Sequence, residues 1–230
     1  MKAVRSRRHA IYWAPAADHP LWRAGCDWLG RDAEAGRLGA SASHREQPRR
    51  YGFHATLKPP FALRLDVDET ALLDALDGLV SDWAPFEMPA LAVATLGDFV
   101  ALRPRDAHAV DAEHPLRRLA DDCVRRFDPL RRAPSAAEIA RRLGANLSAE
   151  QRANVDRWGY PHVFDAWRFH MSLTDSLPDD AALRETLLAD ARAHFSAALA
   201  VPLACDGIAL FVEDEPGADL RLARRFPFAR

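Results

Sequence analysis

Two short segments of the sequence combine residues that are suited to proton transfer and anion binding. They are His-Ala-Thr at 54–56 and His-Met-Ser at 170–172. Residues two apart in a strand project from one face, so each histidine shares a face with a hydroxyl group. Imidazole titrates near neutral pH, and a hydroxyl donates to an anionic oxygen without adding charge. The segments predict one site that binds phosphate and cleaves a phosphoester bond. In it, His54 and His170 are the catalytic acid and base, and Thr56 and Ser172 hold phosphate oxygens.

Three further side chains are candidate substrate contacts. Lys58 and Arg168 share strand faces with the motif histidines and are predicted to contact phosphate, unless the strand twist turns them to solvent. Tyr12, on the first predicted strand, is placed where it can line the cleft. Each motif offers one imidazole with no carboxylate or cysteine at ligand spacing, so no metal and no cofactor are predicted. Zinc bound by both histidines is the open alternative.

The residues around the first motif alternate in polarity, which predicts a strand over 53–57 that ends at Pro59-Pro60. A helix with capping-type spacing at Asp66 and Glu69 follows, and it ends before Pro85. Strands are predicted around 86–95 and 99–103, with Gly97-Asp98 as the turn. The second motif lies in an alternating stretch, 167–174, which is followed by a helix with a stripe from Leu183 to Phe195 and by strands at 203–213 and 220–226. A helix also precedes each motif strand, at 18–31 and at 111–127.

The order of elements is therefore repeated, which predicts an internal duplication with two copies. The predicted fold class is α+β, with two similar lobes of antiparallel sheets about a pseudo-twofold axis and a central cleft. The chain is predicted to form a single two-lobed domain, 1–230, with lobe 1 at about 1–108 and lobe 2 at about 109–230. An insertion at about 129–160 carries two capping boxes, at Ser135 and Ser148, with Gly144 between them. The insertion is a lid over the site or a simple connector.

Composition limits the class of protein. The net charge of -2 argues against an extended nucleic-acid partner, because each phosphate contact normally requires a lysine or arginine. The 3 cysteines are far apart and odd in number, which indicates a reducing compartment without a disulfide framework. No apolar run approaches the length of a membrane span. These features predict a soluble cytoplasmic protein whose partner is a small phosphorylated metabolite or nucleotide. The oligomeric state is left open.

The sequence resembles the two-histidine phosphoesterase superfamily. Within it, Tyr-Gly-Phe-His-Ala-Thr-Leu-Lys-Pro-Pro-Phe at 51–61 is most similar to a branch described as a phosphonate metabolism protein. Arg-Phe-His-Met-Ser-Leu-Thr at 168–174 points to the same branch. The resemblance covers nearly the whole chain. It implies a duplicated α/β fold, and it implies that the histidines act as a general acid and base on a phosphodiester.

We therefore expect a metal-independent hydrolase that opens a small cyclic phosphodiester, such as a ribose-type cyclic phosphate in phosphonate metabolism. One alternative is a phosphodiesterase or ligase that acts on 2′,3′-cyclic RNA ends, which would need a basic, aromatic-lined groove beyond the cleft. The other is a non-catalytic phosphate-binding module. The near-symmetry of the motifs does not indicate which histidine is the base.

Overall fold

The computed structural model describes residues 7–40, 42–143 and 146–229, which form a mixed α/β fold with antiparallel sheets. The helices are α1 (Pro20–Leu29), α2 (Glu46–Tyr51), α3 (Glu69–Ser81), α4 (Pro115–Phe127), α5 (Ala136–Arg142), α6 (Ala149–Trp158) and α7 (Ala181–Leu199). The strands are β1 (Arg8–Trp13), β2 (Arg31–Asp32), β3 (Arg37–Leu38), β4 (Ala55–Phe61), β5 (Phe86–Glu87), β6 (Leu91–Leu96), β7 (Phe99–Pro104), β8 (Met171–Ser172), β9 (Ala204–Cys205), β10 (Gly207–Glu213) and β11 (Arg221–Pro227).

Two sheets carry the motifs. The larger sheet has the order β11–β10–β1–β4, and the first motif leads into its edge strand β4. The second sheet has the order β6–β7–β8, and the second motif leads into its edge strand β8. The paired strands are antiparallel throughout both sheets. The antiparallel pairing predicted from the sequence is therefore confirmed.

Each sheet takes strands from both halves of the sequence. The sheet of the first motif is completed by β10 and β11 from the end of the chain, and β8 pairs with β7 from the first half. A boundary near residue 108 therefore does not separate the sheets, and the division into lobes 1–108 and 109–230 is wrong on this point. Alternating polarity along a strand indicates which of its faces is buried but not which strand it pairs with. The order of strands in the sequence therefore did not show which strands form each lobe.

The first motif strand runs through the two prolines that were predicted to end it. Strand β4 continues to Phe61 and pairs with β1. The register of this pairing shifts twice along β1, between His9 and Ile11 and between Ile11 and Tyr12. Proline is tolerated here because β4 lies at the edge of its sheet, where a missing N–H breaks no second ladder.

The second motif strand is much shorter than the predicted 167–174. Only Met171–Ser172 pair regularly with β7, through Leu102 and Ala101. Beyond them, the Thr174 hydroxyl accepts a hydrogen bond from the Val100 main chain at 3.0 Å. A side chain thus replaces the main-chain acceptor of the Val100 N–H, while the Leu173 N–H still donates to the Val100 carbonyl oxygen at 2.9 Å. His170 precedes β8 by one residue, just as His54 precedes β4 by one residue.

The helices that precede the motifs begin in the same way. Both α1 and α4 start at a His-Pro-Leu sequence, at 19–21 and 114–116. In each case the histidine Nδ1 atom accepts the main-chain N–H of the leucine, at 3.0 Å for His19 and 3.1 Å for His114. Proline at the first helical position costs no hydrogen bond. These two histidines are therefore the N-caps of their helices.

Side chains tie the two motifs to one another across the core. The Trp167 indole N–H, just before the second motif, donates to the Thr56 carbonyl oxygen at 2.8 Å. The Trp28 indole N–H on α1 donates to the Leu173 carbonyl oxygen at 2.8 Å. The Asp175 carboxylate accepts the main-chain N–H groups of Glu46 and Gln47 at 3.0 and 2.7 Å, which caps the helix that leads to the first motif. The motif segments are therefore positioned jointly.

The predicted insertion contains α5 and α6. Both capping boxes are present, with Ser135 and Glu138 at the start of α5 and Ser148 and Gln151 at the start of α6. The helix predictions for this segment are confirmed. Gly144, which was predicted to separate the helices, lies outside the described residues.

Candidate active site

His54 lies between the end of α2 and the start of β4. Its Nδ1 atom is 2.9 Å from the carbonyl oxygen of Gly52, and its Nε2 atom is 3.3 Å from the Thr56 hydroxyl. The ring stacks on Tyr12 with 3.7 Å between centroids. Burial lowers the pKa of His54 to about 4, and the positive charge of protonated His170 adds to this shift. His54 is therefore neutral at pH 7.

His170 has the same local geometry at the start of β8. Its Nδ1 atom is 2.9 Å from the carbonyl oxygen of Arg168, two residues earlier, as Gly52 is two residues before His54. The Phe99 ring lies against it, with centroids 5.7 Å apart. Burial also lowers the pKa of His170.

The carbonyl contacts determine the tautomer of both rings. A carbonyl oxygen only accepts hydrogen bonds, so the Nδ1 atom of each neutral imidazole must carry the proton. The Nε2 atom of each ring then presents a lone pair. Both motif histidines are thus arranged to accept a proton at Nε2 when neutral and to donate one from Nε2 when charged. The rigid contact at Nδ1 also orients each ring.

A cavity of about 530 Å³ connects the two motifs. Thr56 from the first motif and His170 from the second both line it, and the Cα atoms of β4 and β8 approach within 8 Å nearby. The wall also contains aromatic rings and polar groups contributed by the β6–β7 turn and the residues before β8. These are Asp98, Phe99, Tyr160, Trp167 and Arg168. The cavity is large enough for a small ligand.

The insertion supplies residues of this wall that the sequence prediction missed. Gln151 on α6, Tyr160 and His162 all line the cavity with His170. Neither His162 nor Gln151 lies in a repeated motif, so the local sequence did not identify them as cavity residues. The available signal was the capping box at Ser148, which orients the start of α6 and with it Gln151. The insertion therefore does more than connect two halves of the chain.

Two predicted contacts, Lys58 and Tyr12, are not among the residues that line the cavity. Lys58 is 2% exposed, and its Nζ atom is 3.2 Å from the Val124 carbonyl oxygen and 3.5 Å from the Asp128 carboxylate. Burial lowers the pKa of Lys58 to about 8. Tyr12 is also buried and contacts the site through its stacking on His54. Burial raises the pKa of the Tyr12 phenol well above its usual value.

The other two predicted contacts differ in position. Arg168 is exposed and lines the cavity, and its Nη1 atom donates to the carbonyl oxygens of Asp165 and Trp167 at 2.6 and 2.7 Å. Ser172 is partly buried opposite Ala101 and is not among the lining residues. The structure thus brings His170, Thr56 and Arg168 to one cavity wall, and Ser172 is not part of that wall.

Metal-binding groups do not cluster within the part of the chain that the structure describes, where no three His, Cys, Asp or Glu side chains gather. All three cysteines are buried free thiols, and burial raises the pKa of each one. None of these thiols is poised as a nucleophile. The metal independence of the reaction stays a prediction.

The family of the chain is shown by its sequence. The model of the family described as "Protein of unknown function (DUF1045)" matches residues 56–221. The chain belongs to the DUF1045 family. The match starts at Thr56, two residues after His54, and it includes the whole second motif. The family description names no activity, so the resemblance to two-histidine phosphoesterases stays a prediction.

Two similar proteins carry the same name. "Ribose 1,5-bisphosphate phosphokinase PhnN" from Janthinobacterium sp. (strain Marseille) is 37% identical over 238 residues, which cover 96% of this chain and 51% of that protein. The protein of that name from Laribacter hongkongensis (strain HLHK9) is 40% identical over 225 residues, which cover 94% of this chain and 51% of that protein. The DUF1045 chain thus spans about half the length of these relatives.

One solved structure is similar at a lower level. The crystal structure of E. coli LigT complexed with phosphate aligns with 98% of this chain and 99% of that chain, at 13% identity and a TM-score of 0.45. This similarity is too weak to assign a fold or an activity to the DUF1045 chain.

A second cavity, of about 630 Å³, lies beside α1, and its lining comes from residues 17–40, which include neither motif. This cavity is larger than the motif cavity, but it contains neither His-x-Thr/Ser segment and is therefore not the candidate active site. Among the described residues, no helix combines the length and the apolar character that a membrane crossing requires.

Proposed function

We propose that this DUF1045 chain is a phosphoesterase that hydrolyses a small cyclic phosphodiester with His54 and His170 as general base and general acid. The observation that carries the proposal is the matched hydrogen bond at the two motifs. Each imidazole is bound at Nδ1 by the carbonyl oxygen two residues earlier, at 2.9 Å, which leaves Nε2 for proton transfer. His170 lines the cavity, whereas His54 does not line it and is linked to it through Thr56, whose hydroxyl lies 3.3 Å from His54 Nε2. A pair of rings placed in this way suits a reaction that takes up one proton and delivers another.

The proposed reaction is a hydrolysis in one displacement. The Nε2 atom of His54 removes a proton from water, and the water oxygen forms a bond to phosphorus. The bond between phosphorus and the departing ring oxygen breaks, and protonated His170 delivers its Nε2 proton to that oxygen. The product is an acyclic phosphomonoester, after which the two histidines exchange protons with solvent. Thr56 would donate to a non-bridging oxygen during this step.

His54 receives the base role because burial keeps it neutral. Its pKa of about 4 leaves the Nε2 lone pair available at any pH above that value. His170 receives the acid role by elimination, and a bound phosphate anion would favour its protonated form because opposite charges attract. This assignment is testable by the pH dependence described in the Discussion.

We also propose that the chain is a single two-lobed domain of the two-histidine phosphoesterase type. Support comes from features that recur in both halves: a His-Pro-Leu helix start, a histidine one residue before an edge strand, and the same Nδ1 contact. The lobes would be the sheets β11–β10–β1–β4 and β6–β7–β8, with the cavity between them, not the two halves of the sequence.

The proposed substrate is a ribose-type cyclic phosphate. The relatives are named for a kinase that acts on ribose 1,5-bisphosphate. Hydrolysis of a 1,2-cyclic phosphate on a ribose 5-phosphate, with cleavage of the bond to O2, would produce that compound. The sequence contains no Gly-x-x-x-x-Gly-Lys-Ser/Thr run, which favours placing any nucleotide-dependent kinase activity of the relatives in their other half.

The test uses the purified chain with a ribose 1,2-cyclic phosphate and a 2′,3′-cyclic mononucleotide, followed by phosphorus NMR. We expect a phosphomonoester as the product, with turnover that survives exhaustive chelation by EDTA. Loss of activity on chelation, with recovery on adding zinc or manganese, would contradict a reaction without metal. If RNA with a 2′,3′-cyclic end has a much lower KM and a steep salt dependence, the substrate is RNA. Binding without turnover would indicate a phosphate-binding module.

A further inference from the structure

A third histidine of the cavity, His162, is positioned by the start of helix α6. The capping box determines how the Gln151 amide is oriented. The main-chain N–H of Ser148 donates to Gln151 Oε1 at 2.9 Å, and the main-chain N–H of Gln151 donates to the Ser148 hydroxyl at 3.1 Å. Since a main-chain N–H can only donate, the amide oxygen must face it. The amide nitrogen of Gln151 therefore points away from the helix end.

That amide nitrogen determines the tautomer of His162. Gln151 Nε2 lies 3.4 Å from His162 Nδ1. An amide nitrogen only donates, so Nδ1 of the neutral imidazole accepts and the proton sits on Nε2. The Tyr160 ring holds the imidazole from the side, in an edge contact with 5.6 Å between centroids. His162 thus has the opposite tautomer to His54 and His170.

The opposite tautomer gives the cavity an N–H donor that the motif histidines lack when they are neutral. The neutral rings of His54 and His170 present lone pairs at Nε2, which repel the oxygens of a phosphate anion. His162 lines the same cavity as His170 and Thr56, and it presents an N–H group without requiring a charge. His162 is an exposed residue, yet its partial burial lowers the pKa of the ring from its usual value, which favours the neutral donor form at pH 7.

We propose that His162 binds a non-bridging oxygen of the substrate phosphate through its Nε2–H group, and that Gln151 holds it in the required tautomer. The ligand class is a phosphate monoester or diester anion. This inference rests on the proposed function, because it assumes that the cavity accepts a phosphoester. It assigns a binding role to His162 and a positioning role to Gln151.

The decisive variant is Gln151→Glu. Glutamate at the third helical position preserves the capping box, because one carboxylate oxygen can still accept from Ser148. The other oxygen would accept a hydrogen bond from Nδ1–H of His162, so the neutral ring would carry its proton on Nδ1 and present a lone pair at Nε2. The matched control is Ala153→Glu, which adds the same charge to an exposed position of the same helix.

The measurement is nitrogen-15 NMR of the histidine rings in the full chain, with a titration by inorganic phosphate. We expect His162 of the wild type to carry its proton on Nε2, and we expect Gln151→Glu to move that proton to Nδ1. Loss of one hydrogen bond to a charged oxygen should weaken phosphate binding about tenfold in Gln151→Glu and in His162→Leu. His162→Gln keeps an N–H donor and should retain most of the affinity, as should Ala153→Glu.

Several outcomes would overturn the inference. If His162 carries its proton on Nδ1 in the wild type, or if His162→Leu binds phosphate as tightly as the wild type, His162 is not the donor. If phosphate shifts the resonances of His54 and His170 but not those of His162, this inference fails while the proposed function stands. If phosphate perturbs none of the three rings, both fail.

Discussion

The two motif segments share one hydrogen-bond pattern but differ in their surroundings. At the first motif, His54 is stacked on Tyr12 and leads into the long strand β4. At the second motif, His170 lines the cavity directly and leads into a strand of two residues. The contacts at Nδ1 are alike, so tautomer and orientation are alike. Burial lowers the pKa of both histidines, so what separates the two motifs is what each ring contacts: Tyr12 at His54 and the open cavity at His170.

The largest expected effect is the loss of either histidine. General acid or base catalysis typically contributes about 10²–10⁴-fold, so His54→Ala and His170→Ala should each lower kcat by at least about two orders of magnitude. His108→Ala, at an exposed position of a turn, is the control and should have no effect on kcat. Circular dichroism would verify that each variant is folded. A fully active variant at either motif would contradict the proposed pairing of the two histidines.

The hydroxyl groups should separate the motifs more clearly than the histidines do. Thr56 lines the cavity, so Thr56→Val should lower kcat roughly 10²-fold, as loss of an oxyanion donor does. Ser172 is predicted from the sequence to hold phosphate as well, but it is not among the residues that line the cavity. If the positions described here persist when substrate is bound, Ser172→Ala should cost much less than Thr56→Val. Equal losses in kcat would indicate that Ser172 moves into contact with substrate.

The pH dependence tests which motif supplies the base. In the free enzyme, kcat/KM requires neutral His54 and protonated His170. It should therefore fall below pH about 4 as His54 is protonated, and it should fall again above a pKa lower than 6.5 as His170 loses its proton. The optimum is thus expected at mildly acidic pH, with limbs of about tenfold per pH unit. In His54→Ala the acidic limb should disappear while the alkaline limb stays. If His54→Ala instead loses the alkaline limb, His54 is the acid and His170 is the base.

Much of the local structure near the motifs could be predicted from the sequence. The capping boxes at Ser135 and Ser148 and the turn at Gly97 are local signals, and each was found where it was expected. The alternation at 53–57 also predicted a strand correctly. These features depend on residues within about four positions of each other, so a sequence pattern contains the information needed.

The errors concern contacts between distant segments. The pairing of β1 with β10 joins residues about two hundred positions apart, and no alternation pattern encodes it. The strand was predicted to end at the prolines at 59 and 60. Proline is tolerated there because β4 is an edge strand, and only the order of strands in the sheet reveals this. The contribution of Gln151 and His162 to the cavity depends on how the insertion folds back toward His170. Long-range packing thus determined each feature that the sequence pattern missed.

The smallest expected effect compares the basic residues that flank the two motifs. Arg168 lines the cavity, whereas Lys58 is buried against Val124 and Asp128. Lys58→Met should therefore leave KM for the cyclic phosphate unchanged, while Arg168→Met should raise it. The unfolding free energy should change little at pH 7, by less than about 1.5 kcal/mol, because methionine has a similar shape. Asp128 also keeps its ion pair with Arg131, at 2.8 Å.

The stability of Lys58→Met should differ from the wild type in its pH dependence. The pKa of Lys58 is lowered from 10.5 to about 8 in the folded state, so between these values the unfolded chain binds more protons at this residue. The contribution of Lys58 to the unfolding free energy therefore rises with pH from about 8 to 10.5 and is lost as the pH falls through that window. Urea unfolding at several pH values should show this rise in the wild type and not in Lys58→Met. The contrary outcome is a raised KM in Lys58→Met together with the same pH dependence of stability as the wild type. It would place Lys58 at the phosphate, so that both motifs would have a basic residue in contact with substrate.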